Sequence, residues 1–171
     1  MGAYNPVSYH NGSVWPHDNA LVAAGLMRYG FVEESQRVIM GMVDAAACFD
    51  GRLPELFSGL DRSQFAVPVP YPTACSPQAW AAGAAFTFVR TLLRLDPWIP
   101  RAKLWVDPVV PAELGMISVT NVPMAGSRLQ IEAATGSARI EGLPGFVEVR
   151  QEARAPRHRI FLDPDRSSGS P

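Results

Sequence analysis

Tyr4-Asn5-Pro6-Val7-Ser8-Tyr9-His10-Asn11-Gly12-Ser13-Val14-Trp15-Pro16-His17-Asp18-Asn19 opens the chain with two Tyr, one Trp, two His and three Asn within sixteen residues. No helical or strand period runs through it, and Pro6, Gly12 and Pro16 interrupt it, so the spacing predicts a structured loop. Aromatic faces beside neutral donors and acceptors suit a polyhydroxylated ligand. Sugar rings stack their C–H faces on aromatics, and their hydroxyls need hydrogen bonds in fixed directions. The competing reading is a loop whose polar groups only satisfy one another.

After the loop the pattern turns helical. Asp18 or Asn19 can cap a first turn, and Ala20–Met27 is apolar nearly all round, which implies cover on more than one side. Gly30 suits the end of that helix. A second helix is expected from about Glu33 to Cys48, with Val38, Ile39, Met42 and Val43 as its buried stripe. After the Asp50-Gly51 turn comes Leu53-Pro54-Glu55-Leu56, where one carboxylate sits among apolar residues. Glu55 reads either as a half-exposed partner of Arg52 or Arg62, or as a carboxylate tuned for acid–base work. Residues 61–77 form a proline-stiffened loop, and Ser76-Pro77 reads as the start of a third helix reaching about Leu95. Trp80, Phe86, Phe88, Val89, Leu92 and Leu93 are assigned to its core side.

Beyond Pro100 the period changes to two. Leu104–Val106, Met116–Val122, Arg128–Ala133, Ala138–Glu141 and Phe146–Val149 read as short strands, with Ala125-Gly126 as a turn. From Arg154 onward the residues look like a frayed tail.

Composition narrows the function classes. A net charge of −1 argues against a general nucleic-acid or membrane-surface binder. Fourteen Arg accompany a single Lys, Lys103, which is more a compositional bias than a binding patch. Cys48 and Cys75 make no metal-ligand spacing. The first residues do not resemble a signal peptide and no apolar run approaches a membrane span, so a cytoplasmic location is expected. No cofactor is expected either.

Four landmarks stand in order: YNPVSYHNGSVWPHDNAL, LPELFSGL, YPTACSPQAW and a β segment containing LWVDPVVP. Together they resemble the C-terminal part of the amylo-α-1,6-glucosidase (glycogen debranching) family and related (α/α)6-barrel glycoside hydrolases, over roughly residues 4 to 122. The resemblance implies a mainly α fold: residues 1–100 as the C-terminal hairpins of a partial (α/α)6 barrel, 101–153 as a short β segment closing it, and 154–171 as a tail. It implies inverting hydrolysis of an α-glucosidic bond, with the Glu of Leu-Pro-Glu-Leu, here Glu55, as general base. Tyr9, His10, Asn11, Trp15, His17 and Asp18 would line the substrate, with Gln78 and Trp80 at the same end.

The family's general acid lies upstream of anything in these residues, and inversion needs two carboxylates about 6.5–9.5 Å apart. The chain is therefore expected to be inactive alone, with an α-glucan or oligosaccharide substrate and the remaining barrel supplied by a longer protein or a partner chain. The alternatives are a non-catalytic sugar-binding or assembly module, or another glycosidase of the same barrel class, trehalase-like or mannosylglycerate-type. A metal enzyme using His10, His17 and Asp18 is disfavoured, because the two His lack the i,i+4 spacing of a helical metal pair.

Overall fold

A computed structural model describes residues 3–155. Its elements are α1 (Pro16–Arg28), α2 (Val32–Ala47), α3 (Ala79–Leu92), β1 (Asp96–Trp98), a 3₁₀ turn (Ile99–Arg101), β2 (Lys103–Trp105), β3 (Ile117–Met124), β4 (Ser127–Ala134), β5 (Ser137–Glu141) and β6 (Glu148–Arg150). With three helices beside two three-stranded sheets among the described residues, the fold is mixed α/β. This corrects the expectation of a mainly α chain built as a partial (α/α)6 barrel.

The physical reason lies in the β half, which is more than an appendage. β3, β4 and β5 form an antiparallel meander, and β4 buries alternate residues, with Leu129, Ile131 and Ala133 at 1%, 0% and 2% exposure. Ala125-Gly126 turns β3 into β4 with both residues at positive φ, 52° and 79°, a twist that matches two paired strands. The meander closes on Leu93, Leu95, Leu104 and Val106, so this half has its own core. In the second sheet, β1 pairs antiparallel with β2, and β2 pairs parallel with β6.

In the helical half, α1 packs against both α2 and α3. Its Ala20 and Ala23 are buried in one cluster with Ile39 and Met42 of α2 and Ala84, Phe88 and Leu92 of α3, whereas Leu21 and Val22 stay exposed, so the cover expected for this apolar helix is only partial. Small residues permit the close approach, and the buried Ser35 hydroxyl donates to the Ala23 carbonyl at 2.8 Å across the α1–α2 contact. Ties between the halves include the Arg94–Asp107 pair at 2.6 Å, the Gln36 amide donating to the Val109 carbonyl at 2.9 Å, and the Val109 N–H donating to the Leu92 carbonyl at 2.8 Å.

Several local expectations change. α1 starts at Pro16 with Trp15 at the cap position, so neither Asp18 nor Asn19 caps it; Asn19 instead donates back to the Trp15 carbonyl at 2.8 Å. α3 starts at Ala79, and the cap is the Gln78 side chain, which accepts from the Ala81 N–H at 2.8 Å. Trp80 and Phe86 are not core residues: they are 61% and 79% exposed, outside the cluster that Ala84, Phe88 and Leu92 of α3 form with α1 and α2. Val43 is likewise exposed, and Ala45 takes its place in the α2 stripe. Arg154, assigned to the tail, is only 14% exposed, and its guanidinium lies 4.5 and 4.7 Å from the ring centres of Trp98 and Trp105. The rest of that tail, from 156 on, lies outside the described residues.

Candidate functional site

Three loops meet at the N-terminal end of α1. Val14 and Phe57 exchange main-chain hydrogen bonds at 2.8 and 3.0 Å, Ser58 donates to the Val69 carbonyl at 2.9 Å, and Gly59 donates to that of Pro6 at 2.8 Å. Loop 4–15, loop 53–60 and loop 67–75 are thus zipped by backbone pairing, which fixes position independently of side-chain rotamers. Two glycines make the approach possible. A Cβ on Gly59 would run into the Gly12 carbonyl oxygen, and one on Gly12 into that of Asn5. Leu56 and Phe57, 0% and 7% exposed, anchor the middle loop from below.

This zipper sets Glu55 against Tyr9, 46 residues away in sequence. The Tyr9 hydroxyl donates to Glu55 Oε1 at 2.8 Å, and the Cys75 N–H donates to Oε2 at 3.1 Å. The Glu55 N–H in turn donates to the Cys75 carbonyl at 2.9 Å, locking loop to loop. The Cys75 N–H and then the Tyr9 hydroxyl hold the Glu55 carboxyl below the ordinary glutamate range, with desolvation opposing them weakly. The same contact raises the Tyr9 phenol above its ordinary value, since its proton is held by a carboxylate. Arg62 pairs with Asp44 instead, at 3.4 Å, so the surface ion pair considered for Glu55 is not what the structure holds.

Around this pair the aromatics assemble. Tyr9 meets His10 and Trp15 edge-on, both at 4.8 Å between ring centres, and Tyr71 at 5.7 Å. His10 lies parallel to Trp15 at 5.9 Å, and the Trp15 indole N–H donates to the Tyr9 carbonyl at 3.0 Å. In the first turn of α1, His17 stacks on Trp80 of α3 at 4.6 Å, and its Nδ1 lies 3.2 Å from Asp18 Oδ1. The two His therefore belong to separate aromatic pairs. Among the described residues no group of three His, Cys, Asp or Glu is arranged to hold a metal ion.

The sequence-predicted residues divide by role. Tyr9, His10, Trp15 and Glu55 form one connected cluster, and His17, Asp18 and Trp80 a second beside it. Asn11 is exposed at the loop's edge, where its carbonyl accepts from Asn5. Gln78 spends its side-chain oxygen on the α3 cap. Sequence reasoning misses Tyr71 and Cys75. Tyr71 has a signal, as an aromatic in a proline-rigid loop, whereas Cys75 acts through its main-chain N–H, which no side-chain pattern reveals.

Chemically, the arrangement offers an ionised carboxylate that a water can reach, aimed by two donors and walled by aromatic faces. That suits a general base. A general acid would need the reverse, a carboxyl held in its protonated form. No protein-family model matches this chain, and no curated protein matches it. No helix among the described residues is long and apolar enough to cross a membrane.

Proposed function

We propose that this chain carries the general-base side of a glycoside hydrolase site acting on α-glucosidic bonds, in a member of the amylo-α-1,6-glucosidase (glycogen debranching) family working in the cytoplasm. The observation that carries the reading is Glu55, kept ionised between the Tyr9 hydroxyl and the Cys75 N–H within an aromatic wall. In an inverting reaction Glu55 takes a proton from the attacking water as its oxygen bonds the anomeric carbon. A second carboxyl gives a proton to the departing glycosidic oxygen. That acid comes from further sequence of a longer protein or from a partner chain. Tyr9 and Trp15 bear on the sugar face nearest Glu55, and His17 with Trp80 offers a neighbouring platform for the next ring of an α-glucan or oligosaccharide.

The test is Glu55→Gln in the protein that supplies the acid. Turnover of a branched dextrin falls about 10²–10⁴-fold, the usual worth of a positioned base, while dextrin affinity and folding are retained. Near wild-type turnover would remove Glu55 from the mechanism. A second reading, a sugar-binding module without hydrolysis, is favoured by the exposed His17–Trp80 stack alone. Dextrin binding with no reducing sugar released by any acid-complete form would select it.

A further inference from the structure

At the far end of α1 and α3 from Glu55 lies a cavity of about 490 Å³. Its polar wall is a group of arginines around one carboxylate. Asp96 receives Arg28 at 3.3 Å, Arg154 at 3.2 Å and Arg90 at 3.8 Å. Among the described residues Asp96 is the only acidic one lining the cavity, and the fourth arginine there, Arg94, is already paired with Asp107. Three guanidiniums on one carboxylate leave two positive charges over. Arg28 and Arg90 sit in the last turns of their helices, whose C-terminal ends contribute roughly half a negative charge each. About one positive charge remains, in a recess rather than on open surface.

The cluster is also preorganised. Arg154 is held over Trp98 and Trp105, and its pairing fixes the Asp96 carboxylate, while Arg28 and Arg90 keep exposures of 40% and 60%. A ligand can therefore recruit those two without dismantling the Arg154–Asp96 pair. Ala24, Met27 and Leu95 supply apolar floor, and Tyr29, 60% exposed, a flat edge.

We infer that this cavity is a binding site for a small phosphate monoester, its phosphoryl group on Arg28 and Arg90 and its carbon skeleton on the apolar floor. Phosphate oxygens match guanidinium forks, and the volume leaves room for a body the size of a hexose beyond the phosphoryl group. The site is independent of the reading of Glu55.

The experiment is calorimetric titration of the full chain with a hexose 6-phosphate, the free hexose and a hexuronate, at two salt concentrations. Saturable binding of the phosphate is expected, weaker at high salt, with the free hexose and hexuronate at least about tenfold weaker. Arg28→Gln and Arg90→Gln each cost about tenfold or more, the usual worth of a charge-assisted hydrogen bond. The double variant keeps the Arg154–Asp96 pair and its fold, which circular dichroism checks. Glu55→Gln leaves phosphate affinity unchanged. No binding by the wild type, equal binding of the hexuronate, or affinity undiminished in the folded double variant would each overturn the assignment.

Discussion

Replacing Gly59 by Ala tests the loop zipper on which the site stands. The added Cβ would overlap the Gly12 carbonyl oxygen, a backbone atom that cannot swing aside as a side chain would. Loop 53–60 and loop 4–15 must separate. That motion breaks the Gly59 N–H bond to Pro6 at 2.8 Å and the Tyr4 hydroxyl bond to Gly59 at 2.9 Å. Over-packing costs about 1–3 kcal/mol, and each lost hydrogen bond about 1 kcal/mol. Allowing for partial relaxation, roughly 2–4 kcal/mol is expected. In a chain of 171 residues that lowers Tm by on the order of 10 °C. Gly25→Ala is the control, because a Cβ there meets nothing within 4 Å and its helical backbone suits alanine. It should raise stability by about 0.5–1 kcal/mol. Urea denaturation followed by circular dichroism measures both. If Gly59→Ala proved as stable as wild type, the three loops would not be packed as described, and the placing of Glu55 against Tyr9 would fall with them.

Other substitutions separate the remaining roles. Trp80→Ala should change stability by no more than about 0.5 kcal/mol, since the ring is exposed, while weakening oligosaccharide binding in a calorimetric titration; unchanged affinity would remove the His17–Trp80 platform. Phe86→Lys should leave the melt unmoved, because this ring is 79% exposed on α3; a drop in Tm would show that it is packed. Glu55 is depressed in the folded state, so it contributes stability above the ordinary glutamate range of about pH 4.3, lost as pH falls through its folded value. Glu55→Gln should therefore melt below wild type at about pH 7 and converge with it in acid, and a gap independent of pH would contradict that linkage.

The helices were legible because Ala20–Met27, Val32–Ala47 and the Ala- and Phe-rich stretch after Gln78 carry helical composition over two turns or more. Their starts were not. Asp18 and Ser76 are good capping types, yet Pro16 and the Gln78 side chain set the first turns, and capping preference is too weak to choose between neighbours. The meander was legible from alternation at Arg128–Ala133 and from the Ala125-Gly126 turn. Its weight in the fold was not, since a short strand says nothing of what it packs on. Phe86 shows the same limit from the helical side: an apolar residue on a helix is not thereby a buried one. The aromatic loop and Glu55 were each visible in the sequence, but their pairing depends on backbone bonds among three loops, with Cys75 contributing chiefly through its main chain. Arg154 with Trp98 and Trp105 depends on a similar long-range closure, through the parallel pairing of β2 with β6.

The central claim is that Glu55 is kept as a carboxylate base by two donors, one of them the Tyr9 hydroxyl. The direct measurement is a carbon-13 NMR titration of the Glu55 side-chain carboxyl in the wild type and in Tyr9→Phe, which removes only the hydroxyl. Glu55 should titrate below the ordinary glutamate range in the wild type and move upward in Tyr9→Phe, with the remaining depression owed to the Cys75 N–H. A wild-type midpoint at or above the ordinary range, or one that Tyr9→Phe leaves in place, would contradict the account.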